Sequence, residues 1–314
     1  MTVRVRVPAS SSNLGAGFDC VGIAIDRWLS ASVTIENEGG SGFSIQRRGK
    51  LSAVRVRADQ DLFTRGFRAA CAAGGTETPA GVTIDATSDI PIASGLGSSA
   101  AAIVAGALLA DAALGLGLSR AQVLDICTTI EGHPDNVAPA IYGGAVLGVH
   151  TANGWVASSL RVADGIELLI AVPPFTNETK AARAALPKSL PHHDAALGAS
   201  RAAALVQGLA TGDGALLSAA LDDVLHVPFR RARIPGYDAV VQAATAAGAF
   251  GATLSGAGSA ILAIAPKGRA TLVGAAMLAA WRASGFDAEL VRSAHPVPGA
   301  SVHRKAHPVS TESL

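Results

Sequence analysis

The sequence predicts an α+β protein of two domains, and three observations carry that reading. Short stretches of alternating apolar and polar residues open the chain, beginning with Val3, Val5 and Val7. A Gly- and Ser-rich loop at Pro91–Ala101 then runs into a helix-length apolar segment from Ile103 to Leu109. Composition shifts after Gly154, and from Ile166 a second alternation of strands and helices begins.

In order, Val3–Val7 reads as a half-buried strand closed by Pro8, and Ala9–Asn13 reads as a loop. Val21–Ile25 and Ala31–Ile35 are strand-like, with a turn at Gly39-Gly40 and further short strands near Phe43–Gln46 and Val54–Arg57, so the opening is expected to be a β meander. Asp61 can cap a helix that places Leu62, Phe63, Phe67 and Cys71 on one face and stops at Gly74-Gly75. Val82, Ile84 and Ala86 form another strand, which delivers the chain to the Gly-rich loop and its helix. A further helix is expected over Ser119–Ile130, followed by a loop holding Glu131, His133, Asp135 and Asn136. In the second half come strand Glu167–Val172, helices across Asp194–Leu225 and over Tyr237–Ala247, strands Ala252–Leu254 and Ala260–Ala265, a helix over Arg269–Arg282 and strand Ala288–Val291. That order, β-α-β-β-α-β once the extra helices are allowed for, predicts a ferredoxin-like domain. The expected boundaries are 1–154, 155–295 and a loose tail at 296–314, in which His303 and His307, like His295 just before it, lack ligand spacing and are expected to be solvated.

The 314 residues suffice for one large or two ordinary domains. A net charge of +1 with 16% charged residues gives no footprint of a nucleic-acid or membrane-surface binder. Cys20, Cys71 and Cys127 are odd in number and far apart, which fits a reducing compartment and buried thiols, and neither a disulfide framework nor a zinc site. The N-terminus has no signal-peptide apolar block, and the Ala- and Gly-rich run at Ala100–Leu118 is broken by Asp111, so a cytoplasmic protein without a membrane span is expected.

The chemistry centres on Pro91-Ile92-Ala93-Ser94-Gly95-Leu96-Gly97-Ser98-Ser99-Ala100-Ala101. Two glycines two apart let backbone N–H groups turn inward, and the first turn of the helix adds unpaired donors and a positive dipole end. This is the design of an anion site and reads as a phosphate loop, the alternative being a capped buried helix behind a flexible turn. A Walker loop is excluded, because no lysine occurs between Lys50 and Lys180. The letters Gly95-x-Gly97-x-x-Ala100 also fit a dinucleotide fingerprint, but Asp89, Pro91 and Ser94 interrupt the strand it needs, and no acidic residue follows at the required distance.

Three Gly-Ser segments stand in one order: Pro8–Asp19, Pro91–Ala101 and Gly251–Gly258. Together they resemble motifs one, two and three of the GHMP small-molecule kinases. Glu131-Gly132-His133-Pro134-Asp135-Asn136, with Asn13-Leu14-Gly15-x-Gly17-Phe18-Asp19, further resembles the homoserine kinases of that superfamily. The resemblance implies a two-domain GHMP kinase architecture, with an N-terminal domain like domain 2 of ribosomal protein S5 and a C-terminal ferredoxin-like domain. It implies ATP-dependent phosphorylation of the L-homoserine hydroxyl in threonine biosynthesis, Mg²⁺ as cofactor, and a homodimer. It implies Ser98 and Glu131 as Mg²⁺ ligands, Asn13, Asp19, His133, Arg183 and Arg230 as substrate contacts, Thr179 near the hydroxyl, and Pro91–Ala101 around the nucleotide. Ala16, Ser94 and Lys180 depart from residues frequent in relatives, which bears on affinity.

The chemistry of those residues agrees. A zwitterionic amino acid needs a guanidinium for its carboxylate, supplied by Arg183 and Arg230, and an anion for its ammonium, supplied by Asp19. No residue stands out as a general base, and phosphoryl transfer asks mainly for alignment and charge neutralisation. Other GHMP kinases, acting on mevalonate, a sugar or shikimate, are the nearest alternative, and a metabolite sensor without activity is the alternative from another class. The adenine pocket is expected between the first helix and the Gly95 loop.

Overall fold

The computed structural model describes residues 2–36, 40, 42–293 and 297–305. Gly39, His295 and His307, named above, lie outside the described residues. The first half contains strands β1 (Thr2–Asn13), β2 (Gly17–Glu36) and β3 (Gly42–Gly49), helix α1 (Leu62–Ala73), strand β4 (Gly81–Ser88), helices α2 (Ser98–Leu114), α3 (Arg120–Glu131) and α4 (Pro134–Tyr142), and strands β5 (Ala145–Thr151) and β6 (Gly154–Leu160). The second half runs β7 (Ile166–Val172), α5 (Thr179–Ala184), α6 (His192–Thr211), α7 (Gly214–Leu221), α8 (Val227–Arg230), α9 (Tyr237–Ala246), β8 (Gly251–Leu254), β9 (Ile261–Pro266), α10 (Ala270–Ala283) and β10 (Glu289–Ser293). The last strand, β11 (Ser301–Lys305), returns to the first sheet.

That sheet has the order β11-β1-β2-β4-β3, with β5 and β6 continuing from β2. It is not the expected meander, because β2 pairs with β4 and the α1 crossover sets β3 parallel to β4. The two short strands expected between Val21 and Ile35 are one continuous β2. The expected loop at Ala9–Asn13 is strand too: Pro8, which has no N–H to give, sits at a register shift, and pairing with β2 resumes at Ala9. Val54–Arg57 forms no strand, and its Val54 and Val56 line a cavity instead. The first sheet also runs past the expected boundary at 154, through Leu160, and recruits Ser301–Lys305 from the stretch expected to be loose. His303 there is exposed, as expected.

Helix α2 is the axis of the first half, buried along nearly its whole length. Its Ala and Gly content is explained by backbone contact with α1: a Cβ on Gly106 would stand 2.1 Å from the Phe63 carbonyl oxygen, and one on Gly66 would stand 2.1 Å from that of Ile103. No described helix is long and apolar enough to cross a membrane.

The second sheet has the order β10-β7-β9-β8, all antiparallel, with α9 and α10 on one face, which is the ferredoxin-like pattern expected. Strand period explains how it joins the first half. Leu169 and Ala171 on β7 pack with Trp281, Met277 and Val240, whereas Leu168, Ile170 and Val172 point into the larger core shared with α2 and α6. Cys71 and Cys127 are buried as expected; Cys20 is only half-buried.

Candidate active site

Gly97, in a left-handed conformation (φ 65°), begins α2, and no side chain caps the helix there. The first-turn amides are therefore left for a ligand. The loop before them is held by the other two Gly-Ser segments. Ser10 N–H donates to the Leu96 carbonyl (3.2 Å), and Ala260 N–H donates to that of Ser94 (2.9 Å). Ser255 Oγ donates to the Gly95 carbonyl at 2.7 Å and shares a 2.8 Å hydrogen bond with Ser11 Oγ. Ser10 Oγ donates to Asn136 Oδ1 (2.8 Å), whose Nδ2 donates to Ser12 Oγ (2.9 Å). The serines of β1 are buried because they bond these loops, so the three motifs form one hydrogen-bonded unit.

Two cavities open at the mouth of α2 and share Gly95, Ser99 and Thr179. The larger, about 420 Å³, has mainly apolar walls, including Leu51, Val54, Leu62, Phe63 and Ile92. Its far wall comes from residues before α1 and from the first turn of α1, not from the segment between α1 and the Gly95 loop where the adenine pocket was expected. The smaller cavity is polar and is lined by Asn13, Asp19, Glu131, His133, Arg183 and Arg230, with Asp135 beside them. Every residue expected to touch substrate is thus brought to one place.

The turn between β1 and β2 places Asn13 and Asp19. Both have left-handed backbones (φ 71° and 56°), unusual for residues other than glycine, and the Asn13 side chain locks the turn: its Oδ1 accepts from Asp19 N–H and its Nδ2 donates to the Gly256 carbonyl, both at 3.0 Å. Asp19 Oδ1 and Oδ2 accept from Arg183 Nη2 and Nη1 at 2.7 and 3.0 Å. The anion and the cation expected to grip opposite ends of a ligand therefore grip each other. Burial pulls the Arg183 pKa down, but the hydrogen bonds and charge of Asp19 outweigh it and raise the pKa.

Arg230 is 2% exposed. Among the described residues its hydrogen bonds go only to neutral atoms: the carbonyls of Ala182 (3.3 Å) and Gly256 (3.5 Å) and His226 Nδ1 (3.2 Å). Phe18 lies 5.2 Å from its guanidinium and stacks on His226. Burial, then the charge of Arg183, lowers its pKa. A buried guanidinium of this kind is a standing site for an anion.

The sequence reading placed His133 in a loop; it lies just before α4, with Pro134 at the first helical position. Its Nδ1 hydrogen-bonds the buried Asp135 carboxylate. Burial lowers the His133 pKa, and Asp135, with help from Glu131, more than restores it, so it lies above the ordinary value. Asp135 was not singled out as a contact from sequence, although its place two residues after His133 was a signal.

Ser99 donates its hydroxyl to Glu131 Oε1. Consecutive helical residues point about 100° apart, so the two serines face different ways: Ser99 lines both cavities and Ser98 only the larger.

Residues 61–144 match the N-terminal domain of the GHMP kinases, and residues 205–283 match their C-terminal domain. A homoserine kinase of Trichormus variabilis is 42% identical over 298 residues, covering 93% of this chain and 95% of that one. The chain belongs to the homoserine kinase family of the GHMP kinases. A second family member, from Synechococcus sp., is 43% identical over 91% of this chain and 93% of its own. The crystal structure of a homoserine kinase from Cytophaga hutchinsonii superposes with a TM-score of 0.86 at 29% identity, covering 96% of this chain and 97% of that one. A mevalonate kinase from L. major shares the fold alone, with a TM-score of 0.66 at 16% identity over 91% and 94% of the two chains.

Proposed function

We propose that this protein transfers the γ-phosphoryl group of ATP to the side-chain hydroxyl of L-homoserine, and that the two cavities hold the two substrates. The observation that carries the reading is Arg230, a buried cation with neutral partners, set in one small cavity with Asp19 and Arg183. That set matches a carboxylate and an ammonium on one carbon. Mevalonate, sugars and shikimate lack an ammonium, and Asp19 would be wasted on them.

The apolar cavity suits adenine, and the uncapped amides of α2 suit the phosphates. A hydroxyl and a carboxylate at the helix mouth are hard oxygen donors, so Glu131 with Ser98, the pair the resemblance implies, or with Ser99, its hydrogen-bond partner, fits Mg²⁺. Held there, the ion would supply positive charge to offset that of the phosphate oxygens. Thr179 lines both cavities and stands where it can orient the acceptor hydroxyl. The chain contributes alignment and fixed charge, the two things a loose phosphoryl-transfer transition state asks for.

ADP release measured over a panel of L-homoserine, mevalonate, galactose and shikimate tests the reading. Turnover with homoserine alone is expected; turnover of another member in its place, or of none, would contradict it. Two variants test the roles. Asp19→Asn is expected to raise KM for homoserine by about 10- to 100-fold, the worth of one charge-assisted contact, with little change in kcat. A fall in kcat at constant KM would make Asp19 a base instead. Glu131→Ala is expected to raise the Mg²⁺ concentration for half-maximal rate by about tenfold or more, and native metal dependence would remove Glu131 from the metal site.

A further inference from the structure

The smaller cavity holds two arginines in unlike states. Among the described residues Arg230 is buried and hydrogen-bonded only to neutral atoms, so no bonded carboxylate has to leave it before an entering one binds. Arg183 is half-buried, and both its terminal nitrogens are taken by both oxygens of Asp19. The two residues stand 164 positions apart, one at the start of β2 and the other on the short helix α5. The Asp19 side of the contact is fixed, since its backbone N–H is held by Asn13, and Asn13 in turn by Gly256.

We propose that Asp19 masks Arg183, so that the second arginine becomes available only to a ligand whose own ammonium takes Arg183's place on Asp19. This deepens the proposed function and rests on it. A four-carbon hydroxy acid with no ammonium, 4-hydroxybutanoate, carries the same carboxylate and the same acceptor hydroxyl as homoserine. To use Arg183 it must pull that residue from Asp19 and leave the carboxylate of Asp19 without a cation. Homoserine exchanges into the pair instead: its carboxylate joins Arg183 and Arg230 while its ammonium joins Asp19, and every charge stays matched. The ion pair is thus a specificity element that discriminates against anionic alcohols. Arg230 alone, facing any carboxylate, does not supply that discrimination.

The mask makes a counterintuitive prediction, read as dissociation constants by calorimetry on the full chain. Asp19→Asn should weaken homoserine binding, as above, yet tighten binding of 4-hydroxybutanoate by about fivefold, the size of effect a part-exposed ion pair supports. Arg183→Gln should weaken homoserine by about tenfold and leave 4-hydroxybutanoate unchanged, because a masked arginine gives that ligand nothing. The proposal is overturned if Asp19→Asn weakens both ligands, or if Arg183→Gln weakens both by one factor. The second variant alters a part-exposed side chain and decides the matter even if the first perturbs the turn at Asn13. Native turnover of homoserine is measured alongside: its absence defeats the proposed function, whereas its presence with parallel losses in the variants defeats only the mask.

Discussion

Replacing Arg230 with leucine is expected to lower kcat/KM for homoserine by about a thousandfold, while KM for ATP stays near its native value. A carboxylate held by two parallel charge-assisted hydrogen bonds gains on the order of 4 kcal/mol, and each 1.4 kcal/mol is a factor of ten. Arg230 sits in the smaller cavity and does not line the larger one, so the loss should fall on the amino acid alone. Arg230→Lys keeps the charge but not the planar fork and is expected to recover only part of the activity. The leucine variant leaves His226 Nδ1 and two carbonyls short of a donor, so its melting temperature should also fall. Arg230→Lys, which retains a donor, separates that stability cost from the loss of recognition.

Gly95→Ala is the second large effect, and it should act on the nucleotide side. Gly95 has φ 86°, and an added Cβ would lie 2.0 Å from the Ser255 carbonyl oxygen and 3.1 Å from the Gly258 nitrogen. Backbone on both sides leaves no flexible side chain to yield, so the phosphate loop and the third Gly-Ser segment must separate. A left-handed alanine costs about 1–2 kcal/mol by itself, and displacement of the amides adds to it. Activity is expected to fall by about a hundredfold or more, with a raised KM for ATP. Gly115→Ala is the control: Gly115 also has a positive φ, 67°, but nothing lies within 4 Å of its added Cβ. That variant should lose a little stability and keep its activity.

Much of this was legible in the chain because glycine and short-range periodicity report on local backbone. Gly95 and Gly97 marked the phosphate loop, Asp61 the start of α1, and alternation the strands of the ferredoxin-like sheet. What failed depended on distant partners. Val54–Arg57 has the composition of a strand but gains no neighbour to pair with, whereas Ala9–Asn13 has the composition of a loop and gains β2. Pro134-Asp135-Asn136 reads as a turn by residue type, yet a proline at the first helical position is what starts α4. Ser301–Lys305 is polar enough to read as tail and becomes strand because β1 offers an edge.

The candidate site divides the same way. Its members were named from the three Gly-Ser segments, the Glu131–Asn136 stretch and the resemblance at Thr179, Arg183 and Arg230, but their pairings were not. The bond between Asp19 and Arg183 spans 164 positions, and the hydrogen bond of Ser99, not Ser98, with Glu131 turns on the rotation of one helical residue. Neither leaves a periodic trace.

The central claim is that the mouth of α2 holds a polyphosphate beside a cavity whose charges fit an amino acid. A crystal structure with a non-hydrolysable ATP analogue and L-homoserine tests it most directly. The account predicts phosphate oxygens on the amides of Gly97 to Ala100, the homoserine carboxylate on Arg230, and its ammonium on Asp19, with Arg183 turned from Asp19 to the carboxylate. Phosphates bound elsewhere, or a homoserine whose ammonium faces away from Asp19, would contradict it.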